Sequence, residues 1–191
     1  MKQDFIEPGF VYHIFNRGNN QEDIFKEERN YAFFLSLMKK YLLPIADIYA
    51  YCLLRNHFHL VLRIKDAESV EEKYKIKPHL AFSNLFNAYT KSINKAYNRN
   101  GSLFQEHFHR KRVEDEDYLT QLITYIHLNP VKHGFTDNFK SYRHSSYAAY
   151  TSGKPTQIKC EYIMSLFGDP ANFEYCHDLN KIHMEDQLED T

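Results

Sequence analysis

What most constrains this chain is the order in which its hydrophobic period changes between residues 10 and 129. Residues 10–16, FVYHIFN, alternate loosely in aromatic and β-branched types and run into the turn Arg17-Gly18-Asn19-Asn20, which predicts a strand. From Glu28 to Leu43, the residues Tyr31, Phe34, Leu35, Met38, Tyr41 and Leu42 share one helical face, and Pro44 ends the pattern. Residues 46–54 and 57–64 predict two strands of a hairpin joined by Arg55-Asn56. A polar loop over 66–78 precedes a second amphipathic helix marked by Phe82, Leu85, Phe86, Tyr89, Ile93 and Tyr97. Residues 103–113 predict a fourth strand and Asp115 to Asn129 a third helix, which Pro130 ends. This order is the split βαβ plan: an α+β fold, a ferredoxin-like antiparallel sheet with helices packed on one face. Beyond about residue 150 the pattern weakens, so residues 1–150 are expected to form one domain and 151–191 an irregular C-terminal extension, partly disordered near its end.

At 191 residues and 43% hydrophobic content, the chain suits a single buried core. No apolar run approaches the roughly 18–20 residues that cross a bilayer, and MKQDFIEPGF lacks the basic-then-apolar order of a signal peptide, so a cytoplasmic protein without a membrane partner is expected. Cys52, Cys160 and Cys176 are odd in number and far apart, which predicts reduced thiols. A net charge of −1 is low for a nucleic-acid binder, but it is unevenly spread. Lys91, Lys95, Arg99, Arg110, Lys111, Arg112 and Lys132 lie in the middle of the chain, whereas Met184–Thr191 holds Glu185, Asp186, Glu189, Asp190 and no base.

Two elements carry candidate chemistry. In His57-Phe58-His59, strand alternation turns both imidazoles to one side, as a shared metal ion requires, although two histidines need a third ligand. Tyr125 and Asn129, four apart on the third helix, project from one side about 6 Å apart along its axis, so an Asn129 oxygen can complete a His57, His59, Asn129 set. A tyrosine can split phosphodiester transfer into two easier steps, but its pKa of about 10 leaves roughly one phenol in a thousand ionised at neutral pH, so it needs assistance. Tyr118, seven residues earlier, is the rival nucleophile, and Glu106, His107 and His127 are open candidates for proton transfer.

The segments Tyr12-His13-Ile14-Phe15-Asn16-Arg17-Gly18, Asn56-His57-Phe58-His59-Leu60-Val61, Ser102-Leu103-Phe104-Gln105, Tyr125-Ile126-His127-Leu128-Asn129-Pro130-Val131 and Ser145-Ser146-Tyr147 occur in one order over roughly residues 8 to 150. That succession resembles the REP-associated tyrosine transposases, single-tyrosine HUH enzymes related to the IS200-like transposases. The resemblance implies an HUH pair, His57 and His59, binding Mg²⁺ or Mn²⁺, with Tyr125 attacking single-stranded DNA to leave a 5′-phosphotyrosine link and a free 3′-hydroxyl. Asn129 stands where insertion-sequence relatives carry a glutamine ligand. Hairpin DNA is the implied partner, with Arg17, Lys91, Lys95, Arg99, Arg110, Lys111, Arg112, Lys132 and Arg143 as candidate phosphate contacts. The implied protein is bacterial-type, nucleoid-associated when bound, and a monomer or homodimer. The alternatives are a non-catalytic, domesticated nucleic-acid-binding protein and a phosphodiesterase that uses water in place of tyrosine.

Overall fold

The computed structural model describes the backbone of residues 5–189 and the side chains of residues 5–182. Strands β1 (Val11–Arg17), β2 (Ala46–Leu54), β3 (His57–Ile64) and β4 (His109–Val113) form one antiparallel sheet in the order β2-β3-β1-β4. Helices α1 (Glu28–Tyr41), α2 (Glu72–Ile76), α3 (His79–Ala96), α4 (Glu116–Lys132), α5 (Tyr147–Thr151), α6 (Cys160–Phe167) and α7 (Pro170–Glu189) complete the order. This is the expected α+β, ferredoxin-like arrangement, and the β2–β3 hairpin closes at Arg55-Asn56 with Leu54 opposite His57.

The sheet is covered on both faces rather than on one. Phe58, Leu60, Leu62 and Ile64 of β3 join Tyr12 and Ile14 of β1 in a core with Phe34 and Met38 of α1 and Phe82, Leu85 and Tyr89 of α3. Val61 of β3, with Ala50, Cys52 and Leu54 of β2, instead meets Leu119, Leu122, Ile123 and Ile126 of α4. Strand alternation therefore sends His57 and His59 to the α4 side. The side chain of Asp115 caps α4 by accepting from the Tyr118 backbone N–H at 2.7 Å, and Glu116 and Asp117 lie in its first turn. The helix continues past Asn129 to Lys132 with Pro130 inside its last turn, where the proline has a helix-compatible φ but no N–H to donate to the Ile126 carbonyl.

The segment expected to be irregular is largely helical. Ile163 and Phe167 of α6 and Phe173 of α7 are buried in the same core as α4, which supplies the apolar partner surface that these short, weakly patterned stretches need. The disorder expected near the chain end and the acidic stretch 184–191 lie outside the described side chains. β4 is shorter than expected, because residues 103–108 form a loop held to β1 at Gly18 and Phe104. No helix among the described residues is long and apolar enough to cross a membrane.

Candidate active site

A cleft of about 320 Å³ opens where the ends of β1, β3 and β4 meet α4. His57, His59, Tyr125 and Arg17 all line it, together with Phe15 and Asn16 of β1, Gln105, His109 and His133. Arg17 is placed by the turn that follows it: the Gly18 N–H donates to the Asn56 carbonyl at 2.8 Å, and a Cβ at Gly18 would fall 1.9 Å from the Glu22 carbonyl oxygen, so a residue with a side chain does not fit there.

The two imidazoles are held by different neighbours. Asn56 Oδ1 lies 2.7 Å from His57 Nδ1, and because an amide oxygen accepts, His57 carries its proton on Nδ1 and keeps the Nε2 lone pair. His59 Nδ1 lies 2.9 Å from His13 Nε2 on β1, a contact possible because Phe15 pairs with His59 across the sheet. Burial, reinforced by neighbouring His133 and Arg17, lowers His57 to about 4. Burial and the His13 and His57 charges hold His59 well below the usual histidine range, and burial followed by Lys111 lowers His13 to about 4. All three rings are therefore neutral at pH 7, the state that ligates metal.

Tyr125 is 37% exposed, open to a substrate, and its ring meets His59 edge-on at 6.0 Å. Lys132 Nζ lies 4.8 Å from the Tyr125 ring centroid. Asn129 is fully buried and does not line the cleft; its Nδ2 donates to the Tyr125 carbonyl at 2.8 Å, while its Oδ1 is sealed from solvent without a hydrogen-bond partner, as is Tyr147 Oη. An orphaned buried oxygen costs about 1–3 kcal/mol unless something satisfies it, and an amide oxygen is a donor type that suits a hard divalent cation. No group of three His, Cys, Asp or Glu residues suited to a metal occurs among the described residues, so a third protein donor would be of another type, as an amide oxygen is.

His133, at the end of α4, was not singled out from sequence; its ring packs edge-on against His57 at 4.7 Å, and burial followed by the Lys132 and Arg17 charges lowers its pKa. Its place one residue past Lys132 is the signal that could have found it. His127 is fully buried and both its nitrogens are engaged, with His177 at 2.9 Å and Ser146 at 2.8 Å, so it does not face the cleft. Glu106 and His107 line a neighbouring hollow instead. Tyr118 is outside the cleft lining, its hydroxyl 3.1 Å from Lys111 Nζ.

The candidate phosphate contacts separate. Arg17 and Lys132 stand beside Tyr125. Arg110 and Arg112 pair with Ile14 and Tyr12, whose side chains enter the α1–α3 core, whereas Lys111 pairs with His13 and shares the cleft face, so strand alternation splits the three-residue run. Arg112 also lies over the Phe10 ring at 3.3 Å and reaches Glu7 at 3.6 Å. Arg99 is held by Glu22 through two bonds, of 2.5 and 3.2 Å. Lys91, Lys95 and Arg143 are exposed and do not line the cleft.

The ferredoxin-like sheet thus brings a His-x-His strand and a helix tyrosine to one cleft. A solved structure of a REP-associated tyrosine transposase bound to a REP hairpin has this fold: it superposes with a TM-score of 0.58 at 16% identity, covering 81% of this chain and 87% of that one. In sequence, the chain is 27% identical over 107 residues to a putative REP-associated tyrosine transposase of Haemophilus influenzae, a match covering 51% of this chain and 57% of that relative. No family model matches the chain. In sequence and in fold the chain thus resembles the REP-associated tyrosine transposases.

Proposed function

We propose that this protein is a metal-dependent tyrosine nuclease and strand transferase that recognises hairpin DNA and cuts the adjoining single strand through a covalent 5′-phosphotyrosine intermediate. The observation that carries this reading is one cleft lined by two buried, neutral imidazoles and an exposed tyrosine. The names of the similar proteins support it, since one is called a tyrosine transposase and the other is bound to a REP hairpin.

In this mechanism His57 and His59 would hold the ion, with the unpaired Asn129 Oδ1 as the candidate third donor. Mg²⁺ or Mn²⁺ there would supply Lewis-acid polarisation of the scissile phosphate. Tyr125 Oη attacks phosphorus in line; the Oη–P bond forms as the bond to the upstream 3′-oxygen breaks. The phenolic proton passes to water at the open cleft, and the departing 3′-oxygen takes one from water to leave as a hydroxyl. Lys132 and Arg17 offset the charge of the phosphate beside the ring. Attack by a 3′-hydroxyl on the phosphotyrosine reverses the bonds and rejoins the strand.

The test is incubation with Mn²⁺ and labelled hairpin DNA from the flanks of the protein's own gene, read on a denaturing gel. The expected result is a protein–DNA adduct that disappears in Tyr125→Phe. Cleavage that survives Tyr125→Phe and is lost in His57→Ala identifies water as the nucleophile, and hairpin binding without cleavage in either metal identifies a binding protein.

A further inference from the structure

Four imidazoles line the catalytic cleft. His57 and His59 form the candidate metal pair, and the His133 ring packs against His57. The fourth, His109 at the start of β4, is half-buried and lies against Phe15 of β1, nearly parallel at 12° with centroids 4.9 Å apart. Neither nitrogen of His109 has a hydrogen-bond partner among the described residues.

Sheet register fixes where His109 stands. Phe15 pairs with His59 on one side and with His109 on the other, so the three side chains form a row across β3, β1 and β4 on the face that α4 covers. The Phe15 ring lies between the two imidazoles, 5.6 Å from His59 and 4.9 Å from His109, and separates His109 from the candidate metal pair. Tyr125 meets the His59 end of this row, and His109 is the other end. In phosphoryl transfer the attacking and departing oxygens lie roughly in line on opposite sides of phosphorus. A phosphate held over Phe15 and attacked from the Tyr125 end therefore turns its departing oxygen toward His109. The charged and titratable groups facing His109 are Lys111 on its own strand, Arg17 on β1, His59 on β3 and Tyr125 on α4. No carboxylate among the described residues lines the cleft, and the amides of Asn16 and Gln105 give up no proton near neutral pH, so a proton for the departing oxygen comes from an imidazole or from water.

We propose that His109 is the general acid of strand cleavage. As the Tyr125 Oη–P bond forms and the P–O3′ bond breaks, the electron pair left on the 3′-oxygen takes a proton from the His109 imidazolium, giving a 3′-hydroxyl and a neutral ring. In rejoining, the neutral ring takes that proton back from the attacking 3′-hydroxyl. The inference rests on the tyrosine reaction proposed for this cleft, and it puts His109 in place of water as the donor to the departing oxygen.

The test uses the full chain with Mn²⁺, in excess over two flanked hairpin DNAs that differ in one atom. One carries the ordinary scissile 3′-oxygen, the other a bridging 3′-sulfur, which departs as a thiolate without needing a proton. His109→Phe keeps a ring over Phe15 but cannot donate. It is expected to slow adduct formation at least about 100-fold on the oxygen DNA and less than about threefold on the sulfur DNA. His109→Gln, which keeps a polar side chain but exchanges no proton, is expected to show the same contrast. Hairpin affinity by fluorescence anisotropy and Mn²⁺ affinity by calorimetric titration are expected to be unchanged in both variants. Equal losses on the two DNAs overturn the proposal, as does a fall in hairpin or Mn²⁺ affinity that accounts for the slower reaction. Parent protein that cuts through Tyr125 at a rate His109→Phe leaves unchanged overturns the assignment of His109 alone. Parent protein that cuts neither DNA, or Tyr125→Phe protein that cuts the oxygen DNA as fast as the parent, overturns the tyrosine reaction and this assignment with it.

Discussion

Two histidine clusters flank α4, and they differ in what their nitrogens do. In the closed cluster, His177 Nδ1 donates to the Phe173 carbonyl at 2.7 Å, His127 Nδ1 donates to His177 Nε2 at 2.9 Å, and Ser146 Oγ donates to His127 Nε2 at 2.8 Å while accepting the Tyr51 N–H at 2.9 Å. Each proton position follows from the one before, starting at a carbonyl that can only accept. The chain of bonds ties α7, α4 and β2 together and leaves nothing for a ligand. In the cleft cluster, Asn56 occupies only one nitrogen of His57 and His13 only one of His59, and both rings line an open cavity. A histidine with both nitrogens engaged is scaffold; one with a nitrogen left over in a cleft is placed for a ligand.

That contrast is sharpest when the two clusters are mutated in parallel. His57→Ala is expected to abolish adduct formation while changing stability by less than about 1 kcal/mol. His127→Ala leaves a cavity and strands Ser146 and His177, and is expected to cost about 3 kcal/mol in chemical denaturation. Equal stability losses from the two would erase the distinction. Next in size, His13→Ala is expected to lower Mn²⁺ affinity by about 10- to 100-fold in calorimetric titration, because His59 loses the partner that orients its ring, while His13→Gln, which retains an acceptor, recovers part of it.

Acid acts on both clusters in the same direction, since His57 and His13 are held at about 4 as His177 is. Burial, the largest influence on His177, holds it at about 4, against about 6.5 in the unfolded chain. The unfolded state therefore takes the proton first, so this contribution leaves stability level above about pH 6.5 and lowers it as pH falls toward 4, by at most about 1.4 kcal/mol per unit for one histidine. Thermal denaturation between pH 7 and 4.5 should show this slope, and His177→Gln, which cannot titrate, should flatten it by up to one proton. The smallest effect is expected at Arg99→Ala: about 1 kcal/mol of stability from the lost Glu22 pairing, with hairpin affinity within about twofold of the parent.

The strands, α1, α3 and α4 were legible because their period is carried by residues close in sequence. The pairing of His57 with His59 was legible for the same reason, since alternation on one strand needs no partner. His13 was not, because its contact with His59 spans 46 residues and depends on the β1–β3 register. Asn129 was placed on the third helix, but its full burial follows from how α4 packs on the sheet. The alternation that separates Lys111 from Arg110 and Arg112 was present in the sequence, where the run was read as a single patch. The C-terminal helices were missed because their buried residues, Ile163, Phe167, Phe173 and His177, are sparse and gain meaning only against α4.

The central claim is that Tyr125 becomes covalently joined to DNA. The direct measurement is mass spectrometry of the protease-digested adduct formed with Mn²⁺ and a flanked hairpin. The account predicts a nucleotide phosphate on the peptide containing Tyr125, located at that residue by fragmentation; the same mass on Tyr118, or cleaved DNA with no modified tyrosine, would contradict it.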